Sequence, residues 1–149
     1  MKVAILYQSE HHGNTKKLLD ALKEVYDVDL INVLEPEKYL LSSYDVIGIA
    51  SGIAYGKFYP KITEIMESKL PKRKKVFFIY TCGSPRRDYA ASVKQIAKDR
   101  NCKILGTYSS LGYDTYGPFK LIGGINKKNP SEAELRGIVH FYKDVVEKQ

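Results

Sequence analysis

Seven consecutive residues near the N-terminus, Ser9-Glu10-His11-His12-Gly13-Asn14-Thr15, stand between an apolar run and an amphipathic one. If the first is a strand and the second a helix, the loop lies on a helix N-terminus. There the leading backbone N–H groups lack intrahelical partners and the helix dipole is positive. Such a place takes an anion, a phosphate in particular. Ser9 and Thr15 add hydroxyl donors, and Gly13 lets the backbone come close to a ligand. The same residues also suit a plain helix start, with Asn14 or Ser9 as the cap and Gly13 in a tight turn. Neither GxxxxGK[ST] nor GxGxxG occurs here, so the triphosphate and dinucleotide fingerprints are absent.

Two further loops carry groups that bind or react. Ser51-Gly52-Ile53-Ala54-Tyr55-Gly56-Lys57-Phe58-Tyr59-Pro60 sets two glycines and three aromatics after an apolar run. Thr81-Cys82-Gly83-Ser84-Pro85-Arg86-Arg87 supplies hydroxyl and backbone donors after another. A phosphatase of the C-x5-R type would need arginine at position 88, where Asp88 stands, so Cys82 reads as a buried thiol. With Ser84 as cap and Pro85 in the first helical position, Arg86 and Arg87 would oppose the positive end of the dipole, a conflict that a nearby anion would remove. Solvated arginines pointing away are the plain alternative. His11 and His12 are adjacent and His140 is far along the chain, so no metal site is expected.

The elements that must position these loops follow from periodicity. Lys2 to Gln8 reads as a buried strand and Asn14 to Val25 as a helix with Leu18, Leu19 and Leu22 on one face. Val28 to Val33 alternates like an edge strand, and Asp45 to Ser51 is a continuous apolar strand. Phe58, Ile62, Ile65 and Met66 stripe the next helix. Lys75 to Tyr80 is another buried strand, followed by a helix from about Tyr89 with Val93, Ile96 and Ala97 inward, then a strand from about Cys102 to Ser110. Ser131 and Glu134 have capping-box spacing at the start of a last helix whose apolar face is Leu135, Ile138, Val139, Tyr142 and Val146. Five apolar strands alternating with helices predict an α/β fold over residues 1–149 with a doubly wound, five-stranded parallel sheet, an architecture for which 2-1-3-4-5 is one of the common strand orders. In that architecture ligands sit at the carboxyl ends of the strands, at the switch point, and flavodoxin is among the standard illustrations of the rule.

Leu6-Tyr7-Gln8-Ser9 followed by Gly13-Asn14-Thr15 resembles the FMN phosphate loop of the flavodoxin family. Three residues separate Ser9 from Gly13 where typical flavodoxins have two; a branch with S-x-H-H-G-N-T is similar to what stands here. Gly112-Tyr113-Asp114-Thr115-Tyr116-Gly117-Pro118-Phe119 with Gly123-Gly124 looks like the same branch, and Tyr55 to Ile62 also resembles the flavodoxin-like protoporphyrinogen oxidases. The resemblance implies FMN as cofactor, its phosphate at Ser9, Glu10, His11, His12, Gly13, Asn14 and Thr15. It implies the flavin ring against Ser51, Gly52, Ile53, Ala54, Tyr55 and Gly56, with Tyr55 stacking and Gly56 a mobile peptide. The pyrimidine edge would lie at Thr81, Cys82, Gly83, Ser84, Arg86 and Arg87. Read without the resemblance, the aromatics of the second loop serve to close the helix onto the sheet, and for Tyr59 that is the favoured reading.

A chain of 149 residues has room for one domain, and its longest apolar runs fall far short of the roughly 20 residues of a membrane span. The N-terminus lacks a secretory signal, so a cytoplasmic protein is expected. Two cysteines are too few for a disulfide framework or an all-cysteine zinc site. The net charge of +7 is uneven, −2 over residues 1–70 and +9 over residues 71–149. The function expected is an FMN-binding electron carrier, or a small flavin-dependent oxidoreductase acting on a quinone or in the manner of the protoporphyrinogen oxidases. Its redox partner would be an acidic protein, or the acceptor a small molecule. The alternative is a flavin-free module whose basic half binds an acidic protein or nucleic acid, the latter weakly supported by Lys72-Arg73-Lys74-Lys75. A receiver domain is disfavoured, since it would need an acidic pair after the first strand and an aspartate after the third.

Overall fold

In the computed structural model, residues 1–10, 13–35, 39–112 and 128–149 are described. The strands are β1 (Val3–Gln8), β2 (Asp29–Asn32), β3 (Val46–Ala54), β4 (Lys57–Phe58), β5 (Lys75–Cys82) and β6 (Lys103–Leu111). The helices are α1 (Asn14–Lys23), α2 (Pro60–Lys69), α3 (Ala91–Asp99) and α4 (Glu132–Phe141), the last passing into a π-helical turn over Tyr142–Glu147. Five strands form a parallel sheet in the order β2-β1-β3-β5-β6, which is the expected doubly wound arrangement. The short β4 is added antiparallel to the end of β3.

Alternate residues of the central strands enter cores on opposite faces, as strands buried on both sides must. On one face Val3, Ile5, Phe77 and Ile79 meet Leu18, Leu19 and Leu22 of α1 and Ile138 of α4. On the other, Ala4, Leu6, Ile47, Ile49 and Phe78 meet Ile62 and Met66 of α2 and Val93 and Ala97 of α3. The capping box at α4 is complete: Glu134 N–H donates to Ser131 Oγ at 3.2 Å, and Ser131 N–H to Glu134 Oε1 at 3.0 Å. Cys82 and Cys102 are free and buried. No helix among the described residues is long and apolar enough to cross a membrane.

Two expectations are corrected. Phe58 belongs to β4 and not to the helix. Pro60, with its preset φ, takes the first helical position of α2 after the extended Tyr59. The Phe58 ring still enters the core, edge-on to Phe78 and Tyr80 at 6.3 and 5.8 Å between centroids. Likewise α3 begins at Ala91, so Ser84 does not cap it and Arg86 and Arg87 precede its first turn. The intervening chain is held instead by side chains: Tyr89 Oη donates to Ser84 O at 2.8 Å, and Asp88 Oδ1 accepts from Ala90 N–H at 2.9 Å. An Asx turn at Asp88 supplies a local alternative to helix. The conflict between arginines and helix dipole therefore does not arise.

Candidate functional site

The loop after β1 is built around Gly13. Its φ of 65° and ψ of 25° are left-handed, and it stands as the N-cap of α1. Gly13 O accepts from Lys17 N–H at 3.0 Å, while Ser9 Oγ reaches across seven residues to accept from Lys16 N–H, also at 3.0 Å. Ser9 thus caps the helix. Thr15 is buried, and its hydroxyl meets that of Thr81 at 2.9 Å, joining the first loop to the end of β5. A β-carbon at Gly13 would find nothing within 4 Å, so the loop presents open space on that side. Glu10 is exposed. His11 and His12 lie outside the described residues.

The second loop is a tight hairpin between β3 and β4. Ala54 pairs with Lys57, leaving Tyr55 (φ 54°) and Gly56 (φ 76°) as the two turn residues. Two consecutive positive φ values are the mark of a type I′ turn, whose twist suits a hairpin. Glycine adopts it freely; tyrosine does so at a cost of roughly 1–2 kcal/mol. The Tyr55 side chain is fully exposed and no burial compensates it. Backbone strain that packing does not explain is a pointer to a functional position. Ser51 behaves differently. It is wholly buried, its hydroxyl donates to Gly52 O at 2.6 Å and accepts from Tyr59 N–H at 3.0 Å, and so its side chain holds the start of α2. Tyr59 is buried and its hydroxyl lies over Gly52, where a β-carbon would come within 2.5 Å of it. Tyr59 therefore closes the helix onto the sheet, as its structural reading requires. Ile53 is partly buried against the core and pairs with Phe58, and Ala54 leads directly into the turn.

The third loop leaves β5 at Cys82, whose carbonyl accepts from Gly112 N–H at 3.1 Å. Gly83 and Ser84 are half-buried, and Arg86 and Arg87 are exposed. Arg86 Nε donates to Ser84 Oγ at 3.2 Å. The Arg87 guanidinium lies over the Tyr89 ring, 5.7 Å from its centroid, and Tyr89 is in turn edge-on to Tyr80 at 5.9 Å. The same guanidinium rests on the second loop, with Nη2 3.0 Å from the place of a Gly56 β-carbon. A side chain at Gly56 would displace it.

Three residues here do more than the motifs that contain them disclose. Gly112 must be small because a β-carbon there would stand 2.5 Å from Asn14 Nδ2, so the end of β6 packs directly on the start of α1. Glu134 does more than complete its capping box: its carboxylate accepts from Ser110 Oγ and Leu111 N–H, both at 2.7 Å, and from the Asn129 amide. Burial pushes the Glu134 pKa up. The hydrogen bonds from Ser131 N–H, Ser110, Leu111 N–H and Asn129 outweigh it and hold the carboxyl below its ordinary value. Finally Gln8, the last residue of β1, buries its amide oxygen with no hydrogen-bond partner among the described residues. A polar side chain ending an apolar strand was the one available hint. An unpaired buried carbonyl costs about 1–3 kcal/mol, and it suits a site that receives a donor from outside the chain.

The three predicted loops thus converge at the carboxyl ends of β1, β3 and β5, tied by Thr15 to Thr81 and by Arg87 to Gly56. A family model described as a flavodoxin domain matches residues 4–119. The chain belongs to the flavodoxin family. A relative 33% identical over 148 residues, 98% of this chain and 99% of its own, is an uncharacterized protein of Methanocaldococcus jannaschii. A flavodoxin from the domain Archaea superposes with a TM-score of 0.72 at 17% identity, covering 99% of this flavodoxin and 98% of that chain. Flavodoxin 2 from Bacillus cereus, in its oxidised form, gives 0.67 at 17% identity with 100% of both chains covered. A flavoprotein in complex with FMN from Lactobacillus acidophilus gives 0.58 at 18% identity, covering 72% of this chain and 92% of that one. Among the described residues of this flavodoxin, no three His, Cys, Asp or Glu side chains are grouped to hold a metal ion.

Proposed function

We propose that this flavodoxin binds FMN across its three loops and serves as an electron carrier. The observation that carries the reading is the convergence of an open helix N-terminus at Gly13, a strained and exposed Tyr55, and a donor-bearing third loop, linked to one another by side chains. The residues present fit the cofactor. Ser9 to Thr15 would hold the phosphate against the positive end of α1. Tyr55 would pack on the ring, a contact that repays its backbone strain. Thr81 to Ser84 would offer backbone donors to the pyrimidine edge, and the orphaned Gln8 oxygen would accept from a ligand hydroxyl. Bound FMN supplies one- and two-electron redox chemistry. This chain's residues bind and orient it, set its access to solvent, and through Arg86 and Arg87 place positive charge at the rim of the same loops.

Titration of the flavin-free protein with FMN and with riboflavin tests the reading. FMN should bind at least about 100-fold more tightly, since a phosphate at this helix end gains several charge-assisted hydrogen bonds of roughly 1.5–3 kcal/mol each. Equal affinity for the two would remove the phosphate site, and protein that takes up neither flavin would overturn the function.

A further inference from the structure

We infer that the rim formed by the second and third loops is a docking face for an acidic electron-transfer protein; this rests on the FMN reading. Three exposed cations stand there. Lys57 directly follows Gly56, Arg87 lies against Gly56, and Arg86 leans on Ser84. Among the described residues none of the three is in an ion pair. Elsewhere among the described residues Lys16, Lys61, Lys94, Arg136 and Lys148 are paired with carboxylates, while most other lysines and arginines, like these three, are not. Asp88, next to Arg87 in the chain, is already engaged, by Lys94 at 2.7 Å and by Ala90 N–H. Burial pushes its pKa up, but these bonds win and keep it below the ordinary value, so its negative charge is held facing Lys94.

Position decides what this charge does. Lys69 and Lys98 occupy the last turns of α2 and α3, with Lys72 and Arg73 just beyond, and at that end of the sheet cations offset the negative ends of the helix dipoles. Lys57, Arg86 and Arg87 precede α2 and α3, where the dipoles are already positive. Standing before the first turns of those helices, they set up a positive field at this end of the sheet, and no carboxylate among the described residues is paired with them. Spread over two loops and backed by a half-chain of charge +9, that field suits an extended acidic surface and would speed encounter with one.

The test uses FMN-loaded protein and, as probe, a reduced [2Fe–2S] ferredoxin of strongly negative net charge. One electron leaves the cluster, which is oxidised, and the bound flavin gains it, read as bleaching of the flavin band. The second-order rate should fall steeply between about 0.01 and 1 M salt, as the screening length shrinks from roughly 30 to 3 Å. The triple variant Lys57→Gln/Arg86→Gln/Arg87→Gln should lose about tenfold in rate at low salt and much of the salt dependence. Lys72→Gln/Arg73→Gln/Lys98→Gln, with the same change of charge at the far end, should keep both. Equal losses in the two triples would reduce the effect to net charge and overturn the docking face. So would a loss with dithionite as large as that with ferredoxin, which would assign the rim to small anions. FMN content is checked in each variant. A chain that binds no FMN defeats the proposed function alone; calorimetry of ferredoxin against the flavin-free variants then decides docking by the same comparison of triples.

Discussion

The first loop and the rim of the second and third loops differ in how their polar groups are used. In the first, Ser9 and Thr15 are spent inside the protein, one on Lys16 N–H and the other on Thr81, and Asn14 is buried beneath Gly112. At the rim, Tyr55 is exposed on strained backbone and Lys57, Arg86 and Arg87 stand unpaired by carboxylates among the described residues. The first region has its polar side chains tied down within the protein; the second leaves Tyr55 and three cations facing solvent. Preorganisation lowers the entropic cost of binding, so the first loop should govern affinity and the rim should govern chemistry and partner choice.

The largest break in that comparison should come from Gly13→Val. A β-branched residue in left-handed backbone costs about 1–2 kcal/mol, and losing a charge-assisted hydrogen bond to the phosphate adds roughly 1.5–3 kcal/mol. FMN affinity should fall about 100-fold or more while riboflavin affinity changes far less. A parallel fall for both flavins would show general damage to the loop.

Tyr55→Gly should separate the two regions more sharply. Flavin affinity should drop by about 1–3 kcal/mol, by analogy with loss of a nucleobase stacking contact. The melting temperature of the flavin-free protein should hold or rise, because the left-handed turn no longer carries a side chain. A lower melting temperature with unchanged flavin affinity would make Tyr55 a structural residue and leave the stacking role to another ring.

The smallest effect is expected behind the first loop, at Glu134. Its folded pKa is held below the ordinary glutamate value by the hydrogen bonds to its carboxylate, so the stability it contributes is present above that ordinary value and is lost as pH falls through the folded pKa. Wild type should therefore lose more stability than Glu134→Gln between about pH 5 and 3, measured by denaturant titration at each pH. Parallel curves would show that the carboxylate is not linked to folding. Neither protein should differ much in salt dependence at the rim.

The five parallel strands were legible because the central ones are continuous apolar runs between helical patterns and the edge strand alternates; their order followed from the architecture that this alternation resembles. Helix starts were legible where a single local motif decides them, as Ser131 and Glu134 do at α4. Where several weak local signals compete, side-chain and turn contacts within the segment chose between them. Ser84-Pro85 looked like a helix start, yet Tyr89 and Asp88 hold that segment as loop. Phe58 fitted the helical stripe, yet the Tyr55-Gly56 turn folds it back as a strand.

For the candidate site, the glycines, hydroxyls and aromatics at loop positions mark in sequence the segments that the proposed function uses. What each side chain does there was decided only in three dimensions. Ser51 Oγ accepts from Tyr59 N–H while the Tyr59 hydroxyl lies over Gly52, contacts between two segments that no local spacing shows. Arg87 shows no spacing signal, yet it bridges two loops. Gln8 appears as nothing more than a polar end to a strand until its oxygen is found buried and unpaired. Periodicity and loop composition are properties of neighbouring residues, so the sequence determined the architecture and the place of the site. The pairing of donors, the exposure of Tyr55 and the charge left uncompensated at the rim depend on residues brought together from distant parts of the chain, and only the tertiary structure decided them.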